Sequence, residues 1–294
     1  MPGKPPTLFA LLSLLLCRPA GATIDKPRDL FAPTLDGTRT VTVFLPPDYE
    51  DIPSRSWPLL IAMDGQDMAA WRLAEALDRH HTAGGDTPIV AAISAGPHRL
   101  VDYGTADVPN TQGQGARAAE LQAFVTDTVL PWLQRRYRVR RGPAHTAMMG
   151  ASLGGLAAFD LAWRRPDVFS CVGVFSGSFW WRTSDATVAA QQATRIAHGR
   201  VRKTAHRPNL RLWFEAGTAD ETADRDGNGV IDAIQDTTEL IDELVARGFC
   251  RGTEVVYVEI PGGEHNPDTW ARALPEFLHW AFPAQPRPSP HEKN

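Results

Sequence analysis

Short, unbroken apolar runs alternate with stretches of helical period along nearly the whole chain, and this alternation constrains the fold more than any other feature. Residues 41–45, 58–63, 89–94, 144–150, 172–176, 210–215 and 255–260 read as strands. Residues 69–81, 116–136, 156–163, 237–247 and 269–281 read as helices; in the longest, Leu121, Phe124, Val125, Val129 and Trp132 share one stripe. Strands that are apolar at consecutive positions must be covered on both faces, and helical crossovers join parallel neighbours. The expectation is an α/β fold: a mostly parallel central sheet with helices on both faces. No Pro/Gly/Ser linker and no internal repeat interrupts residues 25–282, so one domain over residues 23–282 is expected, although 294 residues could hold two. Ligands of such sheets sit in the loops at the carboxyl ends of the strands.

The two ends read differently from the middle. Lys4, an uncharged apolar run over residues 8–17 and the small-x-small pattern Ala20-Gly21-Ala22 have the form of a signal peptide over residues 1–22, cut after Ala22. The run is too short to span a bilayer, so the mature chain, starting at Thr23, is expected to be secreted or periplasmic with no membrane span. Residues 283–294, with Pro283, Pro286, Pro288 and Pro290 among polar residues, read as a disordered tail. In an oxidising compartment Cys171 and Cys250 could pair, but two free thiols fit the sequence equally well. A net charge of −4 gives no electrostatic reason to expect nucleic acid as a partner.

Chemistry concentrates in three of the strand-end loops. Gly150-Ala151-Ser152-Leu153-Gly154 lies between a strand and a helix, where a side chain two residues either side of the serine would collide with its surroundings. Ser152 is therefore the candidate nucleophile; the competing reading is a tight packing turn. The loop after the last strand carries His265 and the loop before it carries Asp220, with Glu221 as the alternative acid, in the chain order Ser…Asp/Glu…His. An acid there would hold the imidazole tautomer and stabilise its protonated form. Leu153 N–H, at the start of a helix, and Gln66 N–H, after Gly65, are the candidate oxyanion donors. His80, His81, His198, His206 and His291 lie in polar or basic stretches and read as solvent-facing.

The elbow through Gly155-Leu156, together with Asp64-Gly65-Gln66, Phe175-Ser-Gly-Ser178-Phe-Trp-Trp181 and Gly262-Gly-Glu-His265-Asn, resembles the esterase D and enterochelin-esterase-like branch of the α/β-hydrolases. The likeness covers roughly residues 35–282. It implies an α/β-hydrolase fold without a large cap domain and a serine hydrolase of carboxylic esters that needs no cofactor for catalysis. It leaves the ester open: siderophore lactones, feruloyl, acetyl and thioesters all occur in such families, as do acyltransferases. The expected partner is a small-molecule or oligomeric ester. An acyltransferase or peptidase on the same fold, or a secreted binding module without catalysis, are the rival readings.

Arg99, Tyr103, Trp180, Trp181 and Arg182 follow strand ends and are candidate substrate contacts, with packing or plain exposure as the alternative for each. Beyond the acid loop, Asp224, Asp226, Asn228, Val230 and Asp232 fall at positions 1, 3, 5, 7 and 9 of a calcium-loop pattern, with Gly229 at position 6. Gln235 stands at position 12, where a bidentate carboxylate belongs, and Asp236 comes one residue late. A structural calcium and an Asx-rich surface turn are both open at this loop.

Overall fold

The computed structural model describes residues 21–205 and 209–284. The chain runs β1 (Thr23–Ile24), β2 (Arg28–Ala32), β3 (Gly37–Leu45), β4 (Leu59–Met63), α1 (Leu73–Thr82), β5 (Ile89–Ile93), α2 (Arg99–Asp102), α3 (Ala118–Ala123) and α4 (Leu130–Arg136). It continues through β6 (Thr146–Ala151), α5 (Leu153–Arg164), β7 (Cys171–Phe175), α6 (Val188–Ala193), α7 (Ile196–Lys203), β8 (Arg211–Ala219), α8 (Asp232–Ala246), β9 (Val255–Glu264) and α9 (Pro267–Ala281). The strands form one sheet in the order β1-β3-β5-β4-β6-β7-β8-β9, with β2 paired to β3. From β5 to β9 every neighbouring pair is parallel; β3 runs antiparallel to β5, and β1 and β2 antiparallel to β3.

The unbroken apolar runs follow from burial on both faces. Leu59, Ile61 and Met63 of β4 enter the core under α3, α4, α5, α7 and α8, whereas Leu60 and Ala62 face α1 and α9. Leu212 and Phe214 of β8 go one way and Trp213 the other. This is the mostly parallel, doubly covered sheet that the alternation implies. The connection from β7 to β8 carries only α6 and α7, and no large cap domain stands over the sheet among the described residues.

Several local expectations need correction. The strands β1 and β2 were not legible, and α6 and α7 fill a stretch without clear period. The expected helix over 116–136 is α3 and α4 joined by a wider π turn, Phe124–Val129. Pro131 has no N–H to return to the carbonyl four residues back, which explains why the regular ladder opens just before it. His80 and His198 are buried rather than solvent-facing. The polar sequence around His198 hides a helix face that packs on α8, where its Nε2 lies 2.8 Å from the Asp236 carbonyl oxygen; burial and then Arg195 push its pKa down. Cys171 and Cys250 are both free thiols; burial of Cys171 raises its pKa to about 12. His206, His291 and the greater part of the expected signal and tail lie outside the described residues. Among the described residues no helix is long and apolar enough to cross a membrane.

Candidate active site

Ser152 sits between β6 and α5 with φ 54° and ψ −127°, a conformation that costs a side-chain-bearing residue about 1–3 kcal/mol. Neighbouring strand ends hold it there. Its N–H donates to the Phe175 carbonyl at 2.9 Å, and its own carbonyl accepts from Ser178 N at 3.2 Å and Leu156 N at 3.1 Å. The flanking glycines are sterically required. A Cβ on Gly150 would lie 2.4 Å from the Gly154 carbonyl oxygen, and one on Gly154 would lie 2.5 Å from Oδ2 of Asp64. The half-buried Ser152 hydroxyl has the Oγ of Ser178 at 3.4 Å; it makes no hydrogen bond to His265.

Strands β6, β7, β8 and β9 are consecutive and parallel, so their carboxyl ends bring Ser152, Ser176, Asp220 and His265 to one edge of the sheet. His265 Nδ1 lies 2.8 Å from Oδ1 of Asp220, not of Glu221. The Asp220 carboxylate is fully buried and the imidazole 43% exposed, so the acid is fixed from below while the ring's far nitrogen is open to a ligand. Glu221 is half-buried, and burial followed by the nearby Asp232, Asp220 and Asp236 raises its pKa. Trp270, at the start of α9, stands edge-on to the imidazole, ring centres 5.4 Å apart and planes at 85°. Neither Trp270 nor Ser178 was singled out from sequence as a site residue; the only signal was their place beside the strand-end motifs.

The first turn of α5 presents Leu153 N–H, and the short turn Gly65–Asp67 presents Gln66 N–H, each without an intrahelical partner by its position. Asp64 enters that turn at φ 57°, and Gly65 passes so close to β5 that a Cβ would lie 2.7 Å from the Ala92 carbonyl. The Gln66 side chain accepts from Ala95 N at 2.9 Å and donates to Asp64 at 3.2 Å, clamping the turn onto β5. Asp64 also takes both arms of Arg99, Nε at 2.7 Å and Nη2 at 2.8 Å.

Burial separates the substrate candidates. Tyr103 and Trp181 cannot offer their rings to a substrate, because both are buried. Tyr103 lies below the Asp64 turn, its hydroxyl accepting from Asp64 N at 3.3 Å, and Trp181 packs against Gly104 and Gly115. Trp180 is exposed, Arg99 is partly exposed, and Arg182 is ion-paired with Asp185 at 2.5 Å.

The Asp224–Asp232 loop is tied up internally. Asp224 accepts from Asn228 N at 3.1 Å and Gly229 N at 2.9 Å, Asp226 accepts from Gln235 Nε2 at 2.7 Å, and Val230 N donates to Asn228. Asp232 is engaged by Arg225, whose guanidinium also reaches Asp236. Among the described residues no group of three His, Cys, Asp or Glu side chains is gathered to hold a metal ion. To receive a cation, Asp226 would have to leave Gln235 and Asp232 would have to leave Arg225.

Known proteins agree with this architecture. The family model described as "Putative esterase" matches residues 32–281. An uncharacterized protein, YbbA, of Bacillus subtilis is 25% identical over 254 residues, 84% of this chain and 93% of its own. Among solved structures, a ferulic acid esterase superposes with a TM-score of 0.68 at 18% identity, covering 88% of this chain and 97% of its own. An enterochelin esterase of Shigella flexneri gives 0.65 at 18% identity, covering 86% of this chain, which spans 56% of it.

Proposed function

The chain belongs to the Esterase family, and from that premise we propose an exported serine hydrolase of the enterochelin-esterase-like branch of the α/β-hydrolases, with Ser152, His265 and Asp220 as its triad. The observation that carries the reading is the 2.8 Å contact between His265 Nδ1 and Asp220, since it leaves Nε2 as the free acceptor. Ser152 Oγ attacks the ester carbonyl carbon as its proton passes to Nε2, and the carbonyl π pair moves onto oxygen. The N–H groups of Leu153 and Gln66 receive that oxyanion. Collapse breaks the bond to the alcohol, which leaves with the proton from His265. Water then attacks the acyl-enzyme by the same route in reverse order of partners. These groups account for every bond and proton, so no cofactor is assigned to catalysis.

For the attack, the Ser152 hydroxyl must leave Ser178 and close on Nε2; such contacts are often long in free enzymes and tighten in the substrate complex. Trp180 and Arg99 border the entrance as the substrate contacts we propose. Aryl esters and siderophore lactones are the first substrates to try beside p-nitrophenyl acyl esters. Ser152→Ala should abolish hydrolysis with the fold intact, and a fluorophosphonate should label Ser152; substantial residual turnover would reject the assignment. Product analysis with alcohol acceptors separates hydrolysis from acyl transfer. The amino terminus of the exported protein should be Thr23.

A further inference from the structure

Beneath the proposed triad lies a second carboxyl group that the mechanism does not use. Glu215 belongs to β8, where its side chain faces the α9 side of the sheet on the same face as Trp213, and it is completely buried. Among the described residues neither of its carboxyl oxygens has a hydrogen-bond partner, and Oδ2 of Asp220, five residues on at the end of the same strand, has none either. Three carboxyl oxygens in one buried neighbourhood are thus unsatisfied, which is costly unless a proton or a water joins them. Backbone bonds place Glu215 at the centre of the site: its carbonyl accepts from Ser176 N at 2.8 Å, one residue beyond the Phe175 carbonyl that holds Ser152.

We propose that Glu215 is a positioning residue for the triad: as a neutral acid it keeps its proton and donates it in a hydrogen bond, relayed by a buried water, toward the open Oδ2 of Asp220, and so leaves Oδ1 aligned on His265. The inference rests on the triad reading above. The electrostatics agree with it. Burial, and then the charge of Asp220, raise the Glu215 pKa to about 8, while the Ser176 amide and Arg272 pull more weakly the other way. The charged groups acting on it from its own side are Asp220 from its strand end and Arg272 from α9; Tyr257 of β9 lies across the sheet on the opposite face, and β7 contributes Ser176 among the described residues. A second anion here would sit beside a buried Asp220 already paired with His265, and so the proton is retained.

Glu215→Leu should lower kcat about tenfold or more with KM little changed, the size expected for an unpaired buried carboxylate oxygen. Glu215→Gln, which stays neutral and can still donate, should recover most of that loss. It should also erase the alkaline inflection that Glu215 ionisation gives the wild-type kcat profile. A merely structural glutamate would leave that inflection in place. Because the leucine variant can fail to fold, the infrared spectrum of the wild-type enzyme near neutral pH provides a second measurement. It should contain a protonated-carboxyl band that Glu215→Gln removes. Wild-type kcat and pH profile in both folded variants, or no such band, overturns the proposal. Retained hydrolysis in Ser152→Ala instead overturns the triad reading, so the two failures are distinct.

Discussion

The indole N–H of Trp270 donates to the Oγ of Ser176 at 2.9 Å. That bond fixes the edge of the ring that faces His265, and Ser176, at φ 45°, is itself held by Glu215. The β7 end and the start of α9 are thereby coupled beside the imidazole. Trp270→Phe keeps a ring but removes the donor. It should cost about 1 kcal/mol of stability and lower kcat about threefold to tenfold, with a smaller effect on KM. Steady-state kinetics and a melting curve check both numbers.

The elbow glycines answer to sterics rather than to the chemistry. Gly150→Ala would put Cβ 2.4 Å from the Gly154 carbonyl oxygen, a backbone atom that cannot swing aside. A loss of at least about 1–3 kcal/mol is expected, with hydrolysis reduced as Ser152 shifts. Gly199, inside α7, has open space within 4 Å of its Cβ position. Gly199→Ala should be neutral or stabilising by up to about 1 kcal/mol. Comparing the two melting temperatures isolates the steric term from a general glycine effect.

These contrasts also explain what was legible in the sequence. The strands β4 to β7 stood out because burial on both faces leaves no charged position in their centres, and the elbow stood out because its glycines recur at a fixed spacing around Ser152, Gly150 being forced by its contact with Gly154. The His265 and Asp220 positions followed from chain order at the ends of β9 and β8. By contrast, β2 exposes most of its residues and so has neither an apolar run nor a clean alternation. Trp181 and Tyr103 looked like rim residues because sequence does not say which side of a strand-end loop folds inward. Glu215 was invisible for a related reason: at the end of an apolar run it reads as the polar edge of a strand, although β8 continues to Ala219.

Burial of Glu215 has a consequence for stability with a definite sign. Its folded pKa of about 8 lies above the ordinary 4.5, so between those values the native state holds a proton that the unfolded chain has released. The contribution of this group is fully present below pH 4.5, falls as pH rises toward 8 and is flat beyond it. Glu215→Gln carries no such proton. Its stability relative to wild type should therefore rise through that window and then level off, as read from denaturant midpoints at a series of pH values. A pH-independent difference would show that Glu215 ionises as an ordinary carboxyl.

The Asp224–Asp232 loop should behave as a self-contained turn. Arg225, only 6% exposed, lies 3.0 Å from Asp232 and 2.5 Å from Asp236, and Arg195 reaches the same Asp236 oxygen at 2.5 Å. A divalent cation that used Asp232 would have to displace this guanidinium, and Gln235, in place of a carboxylate, supplies no compensating charge. Chelator and added calcium should both leave the melting temperature unchanged. Arg225→Ala, which leaves Asp232 without its guanidinium while Asp236 keeps Arg195, should destabilise by about 3 kcal/mol and should make the melting temperature rise with added calcium. A clear calcium shift in the wild-type melt would instead mean that Asp232 leaves Arg225 for the ion, and that the acid loop carrying Asp220 is metal-braced.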